Sequence, residues 1–201
     1  MTSFPDQLRL KERAEEDIYF ARRDRELIEA MHRRQRTSLV EVRSGGQTGV
    51  DRGALDAVLA LPTGAGISAG GWCPQGRLAE DGVLDVRYPL QETPDSDPAQ
   101  RTEWNVRDAD ATLILHRGAL SGGTALTARL AARMSKPLLQ VDLNRPHSID
   151  EIRVWLEQQG VRVLNVAGPR ESGCPGITPE SYQLMRRLLA ALTEHKAPSA
   201  A

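Results

Sequence analysis

Three glycine-rich turns carry the residues whose types and spacing best suit chemistry. The first is Ser44-Gly45-Gly46-Gln47-Thr48-Gly49-Val50-Asp51, which opens directly into a helical pattern. Glycine permits positive φ and a close backbone approach, and the N–H groups at a helix start favour an anion. Ser44 and Thr48 add hydroxyl donors. Asp51 repels phosphate there, so it either caps the helix or holds a ribose hydroxyl. The second turn runs from His116 to Thr127, with Gly122 and Gly123 as its glycine pair and Ser121 and Thr124 as donors. The third spans Asn165 to Gly176 and contains Gly168, Arg170 and Glu171. The chemistry implied is the binding of a phosphorylated small ligand. Its phosphate is expected on the N–H groups of Gly45 to Gly49 and Gly122 to Thr124, with Arg77 or Arg170 as a cationic clamp. The plainer alternative is three tight strand-to-helix turns.

Two further segments concentrate polar groups. Gly70 to Gly82 is read as an irregular loop holding Arg77, Glu80 and Asp81. In Gln100 to Asp108, the spacing of Arg101, Asn105 and Asp108 puts them on one helix face, pointing either at a ligand or at solvent. If the protein hydrolyses its ligand, Glu80, Asp81 and Glu171 are the candidate general bases or stabilisers of an oxocarbenium-like centre. Their alternative role is to anchor loops through salt bridges. The four histidines fall in unrelated segments, and His116 alone lies near the expected site. There is no Ser-His-Asp arrangement and no Cys/His cluster with metal spacing, so no metal site is expected.

These turns need a scaffold of alternating strands and helices. Strand patterns are Leu39–Arg43, Ile67–Gly70, Tyr88–Gln91, Ala111–Leu115, Pro137–Asp142 and Val161–Val166. Helical patterns are Asp51–Leu61, Pro98–Asp108, Gly123–Met134, Ile149–Gln159 and Thr178–Leu192, the last with Thr178 as cap and Pro179 at its first position. This rhythm implies parallel strands joined by right-handed crossovers. The expected fold is a three-layer Rossmann-like α/β sandwich over residues 37–201, with 194–201 a frayed tail. Residues 1–36 differ: no glycine or proline occurs from Asp6 to Arg36, and charges alternate densely. They read as a helical extension, either a solvated helix with i,i+4 ion pairs or an element for partners or dimers.

Composition narrows the function classes. With 26 basic and 27 acidic residues the net charge is −1, which argues against binding nucleic acid or a membrane surface through bulk charge. No run approaches the ~20 apolar residues of a membrane span, and the N-terminus is charged from residue 6 onward. Two separate cysteines, Cys73 and Cys174, make no disulfide framework. A cytoplasmic protein is expected.

The runs SGGQTGVDRGALDAVLA, GGWCPQGRLAEDG, RYPLQETP, QRTEWNVRDADATLI, SGGTALT and NVAGPRESGCPG together resemble the putative molybdenum carrier family, within the SLOG superfamily of Rossmann-like nucleotide-binding proteins. The resemblance covers roughly Val40 to Leu192. It implies a homo-oligomer with a pocket for a nucleotide-like or pterin-phosphate ligand, molybdenum cofactor being one candidate. Phosphoribohydrolases of the same superfamily are similar through a PGGxGTxxE pattern, from which this chain departs. Gly122 and Gly123 match its glycine pair, but Ser121 replaces the proline, Ala125 the next glycine and Arg129 the catalytic glutamate. That loss favours binding over hydrolysis. Two alternatives stand beside binding: a nucleotide hydrolase using other carboxylates, and a nucleotide-sensing adaptor acting through its N-terminal helix.

Overall fold

The structure, a computed structural model, describes residues 19, 20, 22–24 and 39–194. Most of the expected N-terminal extension and the expected tail lie outside them. The chain divides into two units, residues 1–36 and 37–201, and the second holds the sheet.

A five-stranded parallel sheet forms the middle layer, from β1 (Glu41–Arg43), β2 (Ser68–Gly70), β7 (Ala111–His116), β8 (Leu138–Asp142) and β9 (Val163–Ala167). Its order is β2-β1-β9-β7-β8, every neighbouring pair being parallel. β7 is buried along its whole length, as its unbroken apolar sequence requires of a strand covered on both faces. β9, the last strand, enters between β1 and β7. From β1 the chain winds outward to β2, and from β7 it winds the other way to β8. This divergence about β9 is the topological switch point at which open α/β sheets hold their ligands.

Five helices complete the layers: α1 (Val50–Leu59), α2 (Pro98–Arg107), α3 (Gly122–Arg133), α4 (Ile149–Gln158) and α5 (Ile177–Glu194). α1, α4 and α5 pack together on one face, burying Val50, Ala54, Ile152, Leu156, Met185 and Leu188 against Leu113 and Leu115 of β7. α2 and α3 cover the other face through Val106, Leu130 and Ala131. α2 starts where Asp97 accepts from Ala99 N–H and Pro98 takes the first position. Ser148 caps α4 by accepting from Glu151 N–H.

Three expectations change in detail. Tyr88–Gln91 is not a strand of the main sheet. Instead β6 (Gln91–Glu92) pairs with β3 (Trp72–Cys73) in a separate two-stranded sheet, and Tyr88 and Leu90 serve a small core with Leu55, Cys73 and Leu84. The intervening loop is also ordered, folding β4 (Leu78–Ala79) against β5 (Gly82–Val83) as an antiparallel hairpin. The last helix begins at Ile177, so Thr178 lies inside it and does not cap it from outside; its N–H and hydroxyl both go to Glu171. No helix among the described residues is long and apolar enough to cross a membrane.

α1 and α5 approach through Gly53, where a Cβ would lie 2.1 Å from Ser181 Oγ and 2.6 Å from the Thr178 carbonyl. Replacing Gly53 with Val must force the helices apart, at about 3 kcal/mol. The melting temperature should fall by roughly 5–10 °C in a thermal unfolding experiment. An unchanged value would mean that the two helices do not meet at this glycine.

Candidate functional site

The three glycine turns meet at the carboxyl ends of β1, β9 and β7, but they are not equally open. In the turn after β1, the glycines make room for the protein itself. A Cβ at Gly45 would sit 1.7 Å from Arg101 Nη1, and one at Gly46 2.6 Å from Leu90 Cδ1. At Gly49, with φ +83°, it would sit 2.2 Å from the Pro169 carbonyl oxygen. Two N–H groups of this turn, those of Gln47 and Gly45, already face an anion. Asp51, 3% exposed, accepts from Gln47 N–H at 3.2 Å, with Gly45 N–H and Ser44 also turned toward it. Arg101 Nη1 lies 3.2 Å from the same carboxylate oxygen. Burial pushes the Asp51 carboxyl above the usual range, against the opposing pull of Arg101 and Gln47 N–H. Asp51 is therefore not an N-cap, since Gly49 occupies that place, and its carboxyl lies buried against Gln47 N–H and Arg101. Ser44 is fully buried and donates to the Val166 carbonyl at 2.7 Å. Gln47 Oε1 accepts from Thr48 N–H and Glu80 N–H.

The carboxylates considered for catalysis hold loops together. Glu80 accepts from the Thr48 hydroxyl, from Ser172 N–H at 3.2 Å and from the Ser172 hydroxyl at 2.5 Å. The Ser172 hydroxyl, followed by that of Thr48, holds the Glu80 carboxyl below its usual range. Asp81 is clasped by both terminal nitrogens of Arg52, which keeps it low. Glu171 accepts from Gly176 N–H, Thr178 N–H and the Thr178 hydroxyl, ahead of α5, and is lowered mainly by that hydroxyl. Arg77, expected as a clamp, is spent on the backbone: it donates to the carbonyls of Leu84, Leu90, Asp85 and Tyr88. Asn105 is likewise committed, bonding both Trp72 N–H and the Trp72 carbonyl through its amide at 2.8 and 2.9 Å. Arg170 is exposed and lies within electrostatic reach of Glu80.

The turn after β7 is different. Ser121 is the N-cap of α3 without a side-chain capping bond, and Ser121, Gly122 and Gly123 are exposed. A Cβ on Gly122 or Gly123 would meet nothing within 4 Å. The first N–H groups of this twelve-residue helix have no intrahelical partner and point where an anion is favoured. Thr124 is buried beneath them. His116, at the end of β7, has Nδ1 2.7 Å from the Gly118 carbonyl, which shapes the same turn. Gly168 follows β9 between the two sides, where a Cβ would meet the Leu115 carbonyl and Val50. Two strand spacings, about 10 Å, separate the turns of β1 and β7. Sequence reasoning passed over Ser172 and Arg52. Both lie inside the quoted motifs, but a serine or arginine beside a carboxylate in space leaves no spacing signal in the chain.

A three-layer α/β domain built on a five-stranded parallel sheet of this order is Rossmann-like. The model of the circularly permutated YpsA SLOG family matches residues 42–189, and the chain belongs to that family. It is also similar to the crystal structure of a putative molybdenum carrier protein from Syntrophus aciditrophicus SB, at 44% identity and a TM-score of 0.67, over 78% of this chain and 96% of that one. None of the curated proteins matches.

The Glu171 tie gives a pH test. Its folded value is depressed, so its contribution is present above the ordinary glutamate value of 4.5 and is lost as pH falls through the lower folded value. Glu171→Gln should therefore cost about 1 kcal/mol at pH 7, the size of a lost cap, and less at a pH well below 4.5. Thermal melts of both proteins at the two pH values decide it. Equal losses at both would mean that the charge plays no part.

Proposed function

We propose that this protein binds a small phosphorylated, nucleotide-like ligand over the carboxyl ends of β1, β9 and β7, with the phosphate on the N–H groups of Gly122, Gly123 and Thr124. One observation carries this reading. Donors of the β1 turn, of the Thr48–Ser172 pair and of the α5 start each hold one of the chain's own carboxylates, whereas the start of α3 is exposed and, among the described residues, holds none. Arg101 brings positive charge to the opposite side of the crevice. Its Nε is buried without a partner among the described residues. Because the match to the Syntrophus protein is close, molybdenum cofactor is the particular phosphorylated ligand we assign. Binding without hydrolysis is favoured because Glu80, Asp81 and Glu171 are all tied to partners, and Arg129 stands where related hydrolases resemble one another in a glutamate.

Thermal melts of the purified chain with nucleoside mono-, di- and triphosphates and with molybdenum cofactor test this directly. A ligand at ~100 times its Kd adds roughly 2.7 kcal/mol. The expected result is stabilisation by a phosphorylated ligand that chromatography recovers unchanged; released base or phosphate would contradict it. The α3 assignment has its own test. Ser121→Asp caps the helix and should raise stability by roughly 0.5 kcal/mol, yet it places a carboxylate where the phosphate belongs and should weaken binding at least tenfold. Undiminished affinity in calorimetry would remove the phosphate from this helix start.

A further inference from the structure

The hairpin β4–β5 reaches the crevice with its turn, Glu80–Asp81, and with little else. Each of its strands has two residues, and Leu78 and Val83, which pair across it, are 55% and 71% exposed. Such a ribbon has little stability of its own. Its tip is fixed by polar contacts alone: Glu80 N–H to Gln47 Oε1, the Asp81–Arg52 pair, and the Glu80 carboxylate on Thr48 and Ser172. That carboxylate is exposed, so its contacts gain little over water.

The backbone beneath Glu80 also has contacts of its own. Gly49, in a conformation open to glycine, lays the β1 turn directly on the Pro169 carbonyl, and Val50 N–H donates to that same oxygen at 3.2 Å. Glu171 N–H donates to Thr48 Oγ1 at 3.2 Å. These contacts bring the Thr48 hydroxyl, Ser172 N–H and the Ser172 hydroxyl to one point. Two hydroxyls and a backbone N–H converging there make a set of donors that suits an oxyanion.

We infer that Thr48 and Ser172 form a second anion site, in which the Glu80 carboxylate stands in for a phosphate or carboxylate group of the incoming ligand. The ligand's oxyanion accepts from the same three donors and displaces the Glu80 carboxylate from them. The inference deepens the binding reading, since it gives the ligand a second acidic group beside the one on α3. The donors themselves do not depend on that reading.

Inorganic phosphate titrated into the ¹⁵N-labelled full chain tests this, with Glu80→Ala and Glu80→Gln compared against the unaltered protein. Amide shifts of Thr48 and Ser172 report this site, and those of Gly122 and Gly123 report α3 separately. Glu80→Ala should bind phosphate at Thr48 and Ser172 at least tenfold more tightly than the unaltered chain, and adding Ser172→Ala should abolish the gain. Glu80→Gln keeps the side chain's length and loses its charge, so it should tighten phosphate binding in the same direction even if the alanine variant fails to fold. Equal phosphate affinity at these amides in all the proteins would overturn the inference, whatever Gly122 and Gly123 do.

Discussion

The carboxylate of Asp51, enclosed in the turn after β1, is the constraint on which the upper half of the molecule depends. A buried charge needs a counter-charge and donors, and breaking such a pair typically costs about 3–5 kcal/mol. Arg101 supplies the charge from α2, and its guanidinium can lie across the turn only because Gly45 has no side chain. Once α2 is held there, Asn105, one turn further along, fastens the Trp72 backbone and with it β3. Asp108 then takes the Trp72 indole N–H at 2.7 Å. One ion pair thus aligns the sheet, a helix and the small β3–β6 sheet.

The same logic repeats with smaller stakes. Helix starts and glycine turns leave N–H groups that seek an anion, and this chain answers most of them from within: Asp51 after β1, Glu80 across the β1 and β9 turns, and Glu171 before α5. Self-capping of this kind ties the loops to one another. It also makes the exception informative. The start of α3, lying over the continuously buried β7, keeps its exposed glycines and its uncapped N–H groups.

Much of this was legible in the sequence, for physical reasons. The apolar run of β7 announces a strand buried on both faces, and the glycine pair before α3 announces an exposed helix start. The turn after β1 was legible as a special backbone. What the backbone serves was not, because Arg101 lies fifty residues from Asp51 and nothing in the spacing says that one guanidinium fills the space above Gly45. Arg77 shows the same gap: a basic residue in a glycine-rich loop reads as a ligand clamp, and only the folded loop reveals four carbonyls around it. Tyr88 and Leu90 looked like a strand because apolar residues in short runs suit strands and small cores alike. Thr178 looked like a cap because the competing carboxylate, Glu171, belongs to the loop before it.

An incoming phosphate should meet Asp51 already on the β1-turn N–H groups of Gln47 and Gly45, and exposed N–H groups at the start of α3. The most direct measurement is a crystal structure of the chain grown with a nucleoside diphosphate, with the phosphates located in difference density. The account predicts a phosphate within hydrogen-bond distance of the Gly122, Gly123 and Thr124 nitrogens, with Asp51 still on Gln47 and Arg101. A phosphate seated on Gly45 to Gly49, with the Asp51 carboxylate displaced, would contradict it.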